Sequence, residues 1–221
     1  MSPPEYMPPG ENDVRSPCPA INALANHGIL PRSGKDFTMS RLIDALRKGF
    51  NLGTALATWL AFWAFLFYGK FFRTMSLSDL HVHGILEHDA SLSRQDDAIG
   101  DHIKVDKDLV DLILSQKIDG KINTESLAKL SKIRQADSKE RNKDFNFGWK
   151  QKTLAFGEYS LFLHTIGGAT NKEVDAKVVE ILFKEERIPD DWKMPETPVE
   201  LFKVLRYQKD IEKKYEELNH E

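Results

Sequence analysis

Three groups of residues in this chain have types and spacings that could do chemistry. The first is the only cysteine, Cys18, held between prolines as Pro17-Cys18-Pro19. One thiol cannot close an intramolecular disulfide, so Cys18 is either a small buried hydrophobe or a working thiolate. Pro19 suits the first turn of a helix, and Ala20–His27 reads as that helix, closed by Gly28. Cys18 would then sit where unpaired backbone N–H groups and the helix dipole favour an anionic sulfur. A stabilised thiolate of that kind is what a haem iron takes as an axial ligand.

The second group is Glu87-His88-Asp89, which follows the apolar Gly84-Ile85-Leu86. Asp89 reads as an N-cap ahead of Ala90-Ser91-Leu92, which accounts for Asp89 and leaves Glu87 unexplained. If this bend is helical, Ser91 points the same way as Glu87. A carboxylate and a hydroxyl so placed could share a hard cation with waters. The third group is Glu158, in a stretch from Leu154 to Phe162 that is otherwise almost free of charge. On a helix it shares a face with Leu154, Leu161 and Phe162. Glu158 is therefore either a surface residue or a carboxylate among apolar groups, where desolvation raises the pKa into the range of a general acid–base. His81, His83 and His88 with Cys18 make a poorer set. The His-x-His spacing suits zinc on a strand, but one thiol without a Cys-x-x-Cys pair leaves the coordination underdetermined. Asp119–Asn123 lacks the alternating ligands of a calcium loop, and neither a glycine-rich phosphate loop nor a Gly-x-Ser-x-Gly elbow occurs.

Helices must position these groups. Met1–Arg15 reads as an extended Pro-rich arm, and Gly28–Gly34 as a turn-rich loop. Apolar spacing predicts helices over Ser40–Gly49, Asp108–Gln116, Thr124–Asp137, Thr153–Thr165, Lys172–Glu186 and Val199–Leu218, with Asn123 or Thr124 capping the third. Gly49 to Gly53 breaks the first of them, Asp119-Gly120 marks a turn, and Ser76–Leu86 is ambiguous. Leu52–Tyr68 has no charged residue but lies at the lower edge of spanning length, so it reads as a central buried helix touched on all sides. Alternation with period two is nowhere sustained. The expectation is an all-α fold, a single domain over residues 1–221 with an extended arm over 1–16 and a charged C-terminal helix over 199–221.

Composition limits what the chain does. Its 221 residues carry 31 basic and 34 acidic side chains, a formal net charge of -3, with 41% hydrophobic residues. That is enough for one sizeable core, and the balance of charge argues against a nucleic-acid binder. Phe is frequent at 13, with 4 Trp and 5 Tyr, which would suit an apolar pocket or a plain core. Met1–Pro19 contains no apolar run of the secretory type.

Taken together, Pro17-Cys18-Pro19, Asn22–Gly28 (NALANHG), Leu30-Pro31-Arg32, Glu87-His88-Asp89 with Ser91, and Glu158 resemble the fungal haem-thiolate peroxidases, the chloroperoxidases and unspecific peroxygenases. The resemblance runs from about Pro17 to Phe162. The Glu-His-Asp form is similar to that of the short peroxygenases; the long ones have Gly where His88 stands.

The resemblance implies haem b with Cys18 as axial thiolate, and a magnesium-like cation near a haem propionate. Glu87, Ser91 and the backbone carbonyl of His88 would be the protein ligands of that cation. It implies Glu158 as the distal acid–base, held by His88, with Asp89 orienting His88 or capping a helix. The arginine that assists the acid in long peroxygenases is absent, since Gln151 occupies that position. Hydrogen peroxide and small apolar or aromatic molecules would be the substrates, with oxygen transfer as the reaction and one-electron peroxidase activity beside it. Leu56, Leu60, Trp63, Leu154, Leu161 and Phe162 are the expected channel residues. The resemblance further implies secretion, an intracellular place being the alternative, and leaves a non-covalent homodimer open. A halide-oxidising enzyme would share the same iron chemistry. A haem carrier or sensor would need a second axial ligand such as His83 or His88, and would leave Glu158 without a task.

Overall fold

The computed structural model describes residues 3–168 and 173–218. Eight helices occur among them: α1 (Pro19–Asn26), α2 (Met39–Phe50), α3 (Thr54–Phe67), α4 (Lys107–Ser115), α5 (Thr124–Arg141), α6 (Trp149–Ile166), α7 (Ala176–Glu185) and α8 (Leu201–Glu217). The all-α expectation holds, with one small addition. β1 (Lys121–Asn123) and β2 (Glu173–Asp175) pair antiparallel, Ile122 opposite Val174. Three residues a side show too little alternation to be seen in a sequence. Asp119 and Gly120 both take positive φ, 50° and 79°, and turn the chain into β1.

Side chains set half of the helix starts. Thr38 accepts from the Arg41 N–H at α2, and Asp106 from Asp108 and Leu109 at α4. Asn123 accepts from Ser126 at α5, and Asp175 from Lys177 at α7. The stretch expected to be one helix from Lys172 is therefore strand then helix, because the Asp175 side chain starts the helical turn. Lys172 itself lies outside the described residues, as do positions 219–221 of the C-terminal segment. The ambiguous stretch at Ser76 contains one short 3-10 turn, Leu77–His81, closed by a reciprocal Ser76–Asp79 capping box. Helix α2 runs through Gly49 and ends at Asn51, which adopts the left-handed conformation.

All eight helices contribute to one core. Helices α5, α6 and α8 form one packed group, and α2 lies along α3. Ser160 of α6 donates to the Val204 carbonyl of α8 at 2.7 Å, and Tyr215 of α8 donates to Gln135 of α5 at 2.9 Å. Helix α1 sits close on α2 because Gly49 has no side chain: a Cβ there would meet Leu24 at 2.2 Å. Helix α3 departs from expectation. Leu56, Ala57, Ala61, Ala64 and Phe65 are buried, but Trp59, Leu66 and Phe67 are exposed, so it is covered on one side only. No helix among the described residues is long and apolar enough to cross a membrane.

The described residues of the N-terminal arm have no helix or strand and lie against the body. The Met7 N–H donates to the Asn26 carbonyl at 2.9 Å, and the Tyr6 hydroxyl to the Glu185 carbonyl at 3.1 Å.

Candidate active site

Cys18 is the N-cap residue of α1, in extended conformation, with Pro19 beginning the helix. Its sulfur makes no capping hydrogen bond, yet the N–H groups of Ile21 and Ala20 lie close enough to favour the anion. Burial is the largest influence on the thiol and pushes its pKa up, helped by the negative charge of Glu158 and opposed by those N–H groups and by Arg94. The same side chain is accessible to water. Cys18 is thus reachable yet densely surrounded, and Glu158 lies within electrostatic reach of its sulfur. A thiol so placed is held in the neutral form, and a metal cation at the sulfur would reverse that preference.

Glu158 projects from α6, and its carboxylate is 58% exposed rather than enclosed among apolar groups. Its partner is buried: His88 Nε2 lies 3.6 Å from Glu158 Oε2, and has no hydrogen bond closer than that. His88 Nδ1 lies 2.7 Å from the Asp89 carbonyl, which assigns a proton to Nδ1. Burial alone would depress the imidazole pKa. The nearness and negative charge of Glu158, the Asp89 carbonyl and the charge of Glu87 overcome it and push the pKa up to about 9. Near neutral pH the His88 ring therefore carries the proton and faces Glu158 as a cation.

The Glu-His-Asp segment is a turn and not helical. Ala90 takes φ 60°, so Asp89 caps no helix and Ser91 does not follow Glu87 by a helical turn. Asp89 acts elsewhere. Its Oδ2 accepts from the Asn146 N–H at 2.9 Å, which fixes the loop carrying Phe147, and the Phe147 ring meets the His88 ring edge-on at 5.9 Å. Asp89 thus orients His88 through its own carbonyl and through that loop.

The buried Glu87 carboxylate is divided. Oε2 pairs with His83 Nδ1 at 2.5 Å, while Oε1 has no partner. Ser91 Oγ donates to the His88 carbonyl at 3.2 Å, so two neutral oxygens lie together. Glu87 Oε1 is thus a buried carboxylate oxygen left without a partner, the kind of oxygen a hard cation takes as a ligand. The zinc set does not form. Among the described residues no three His, Cys, Asp or Glu side chains converge on a point. His81 Nε2 faces the Arg15 carbonyl at 2.6 Å instead.

A buried polar frame holds this segment from behind. Asp96 accepts from the Ala90 N–H at 2.9 Å, Ser138 at 3.1 Å and Asn142 at 3.1 Å. Arg134 of α5 lies 3.5 Å from Asp96 and donates to the Ser91 carbonyl at 2.8 Å. Neither Asp96 nor Arg134 is evident in the sequence as a site residue. The available signal was Arg134 falling in the apolar stripe of Leu127 and Leu130 on α5, where a lone charge needs a partner.

Of the expected channel residues, Leu56 is 1% exposed and belongs to the core. Leu60, Trp63, Leu154, Leu161 and Phe162 are each half-buried.

The family model described as peroxidase, family 2, matches residues 4–197. The chain is 28% identical to an aromatic peroxygenase of Coprinellus radians, over 85% of this chain and 80% of that one. It is equally similar, 28% over 85% of its length, to an aromatic peroxygenase of Cyclocybe aegerita, of which it spans 56%. A short segment, 18% of the chain, is 50% identical to a chloroperoxidase of Leptoxyphium fumago.

Proposed function

The chain belongs to peroxidase family 2, and from that premise we propose that this peroxide-using oxidoreductase is a haem-thiolate peroxygenase that transfers oxygen to small aromatic or apolar molecules. The reading rests on one observation above the others: Glu158 lies within electrostatic reach of the Cys18 sulfur, and buried His88 Nε2 lies 3.6 Å from Glu158. A haem would be held on its thiolate side by Cys18. A bound haem would supply the metal that polarises peroxide and accepts its oxygen.

The chain's own groups would manage protons and position. Glu158 would move a proton from one peroxide oxygen to the other, so that the second can leave as water. His88 keeps the Glu158 carboxylate in place and offsets its charge, and its Nδ1 stays fixed on the Asp89 carbonyl. Glu87, Ser91 and the His88 carbonyl would hold a magnesium-like cation, whose charge would offset that of Glu87. Half-buried Leu60, Trp63, Leu154, Leu161 and Phe162 offer apolar surface to a substrate, whereas Leu56 has none to offer.

Glu158→Gln is the decisive variant. It is expected to keep the haem and its spectrum while peroxide-dependent oxygen transfer falls by about 10²–10⁴-fold, the range for losing a general acid–base. Undiminished turnover would remove Glu158 from the reaction. In parallel, the reduced carbon-monoxide spectrum of Cys18→Ala is expected to lose its thiolate band, and retention of that band would exclude Cys18 as ligand.

A further inference from the structure

A buried charge pair linked to the backbone of Cys18 has a role the proposed reaction leaves open. Arg94 is 2% exposed, and among the described residues the one carboxylate within ion-pairing distance is Glu186, at 2.7 Å. Its other donors go to neutral oxygens, Ser93 Oγ at 2.8 Å and the Ile103 carbonyl at 3.2 Å. Asp101 acts on it only through its field. The same Glu186 Oε1 accepts from Asn22 Nδ2 of α1 at 2.8 Å. Asn22 Oδ1 in turn accepts from the Ser16 N–H at 2.8 Å and from the Ser16 hydroxyl at 3.0 Å. That hydroxyl accepts from the Cys18 N–H at 3.2 Å. A continuous polar chain therefore runs from Arg94 through Glu186, Asn22 and Ser16 to the backbone of the cysteine.

Glu186 occupies a position that does not favour it. It closes α7 in the left-handed conformation, φ 49°, where Gly or Asn is the usual residue. The backbone cost is offset by what the side chain and carbonyl do: the carboxylate joins Arg94 to Asn22, and the carbonyl accepts from Asn26 at 3.0 Å. Arg94 and Cys18 also lie within electrostatic reach of each other. Whatever charge Glu186 leaves uncompensated on Arg94 is felt at the sulfur.

We propose that Glu186 is a tuning residue: by neutralising Arg94 near the cysteine, it keeps the reduction potential of a Cys18-bound haem iron low. This rests on the haem-thiolate reading above. One electron added to the iron adds one negative charge near Arg94, so an unpaired guanidinium favours the reduced form and an unpaired carboxylate opposes it.

The test is a spectroelectrochemical titration of the haem-loaded wild type and variants. Glu186→Gln is expected to raise the midpoint potential by the equivalent of about tenfold in the ferric–ferrous ratio, ~59 mV for one electron. Arg94→Gln is expected to lower it, and the double variant to lie between. Opposite shifts are the signature of charge, since a merely structural role would move both variants the same way. An unshifted Glu186→Gln, or shifts of one sign, overturns the proposal. If Glu186→Gln fails to hold haem, Glu186→Asp, which keeps the charge, decides: retained haem with the wild-type potential supports the proposal, and loss of haem or a changed potential overturns it. A wild-type protein that binds no haem would defeat the haem-thiolate reading itself, an outcome distinct from any of these.

Discussion

At the scale of single residues, the site turns on which atoms lack partners. His88 Nε2 and Glu87 Oε1 are buried and unbonded, and each faces a place where the proposed chemistry needs a polar group. His88→Gln keeps bulk and a donor but cannot carry a positive charge opposite Glu158. We expect it to bind haem normally and to lose about 10–100-fold in peroxide-dependent kcat, the usual cost of removing a group that orients a working ligand. Single-turnover mixing with peroxide would measure this, and an unchanged rate would leave Glu158 self-sufficient. Cys18, Glu158 and the Glu87–Ser91 segment were legible in the sequence because each breaks a local rule: a lone thiol before a helix, a charge in an apolar run, three adjacent ionisable residues. The distal pair was less legible. A sequence gives neither the exposure of Glu158 nor the turn that directs Asp89 to Asn146 rather than to a helix cap.

At the scale of elements, helices were legible and their supports were not. The period of the apolar residues located α2, α4 and α6 to within a few residues of their ends, because each buries one stripe on the common core. Asp96 and Arg134 are not legible as a pair in the sequence, because their meaning depends on a contact far along the chain. This pair joins α5 to the segment that carries His88, and both side chains are fully buried. Arg134→Met removes the cation from two carboxylates, strands the buried Asp96 and leaves the half-buried Asp137 to solvent and Arg141. The expected loss in stability is about 3 kcal/mol, the lower end for a broken buried pair, since Asp96 keeps its donors from Ala90, Ser138 and Asn142. Urea unfolding would measure it. The double variant Arg134→Met with Asp96→Asn should recover part of the loss, and a deficit equal to that of the single variant would show that the charge itself was not the cause.

At the scale of the whole molecule, His27 joins three distant parts of the chain. Its Nδ1 lies 2.5 Å from the Pro4 carbonyl of the arm, and its Nε2 accepts from the Ile188 N–H at 3.0 Å. With Nδ1 donating and Nε2 accepting, the neutral ring is the form that closes both contacts. Burial depresses its pKa below the ordinary 6.5, Arg187 and Arg32 add to that, and the Pro4 carbonyl and Asp190 oppose it. The sign follows from linkage. Between the depressed native value and the ordinary value, the unfolded chain binds a proton that the native one refuses, so stability rises with pH across that window. The contribution is fully present above about pH 6.5 and is lost as the pH falls through the native value. His164, also depressed by burial, acts in the same direction. His88, whose pKa is raised, acts in the opposite one and loses its contribution only as the pH rises toward 9. Above about pH 6.5 only the His88 contribution changes, and it grows as the pH drops; urea midpoints measured from pH 6.5 down to pH 5 should therefore fall, and His27→Gln should be less stable at pH 6.5 but show a shallower decline below it. An equally steep decline in that variant would remove His27 as the origin and leave the closure of arm, α1 and the Ile188 loop independent of protonation.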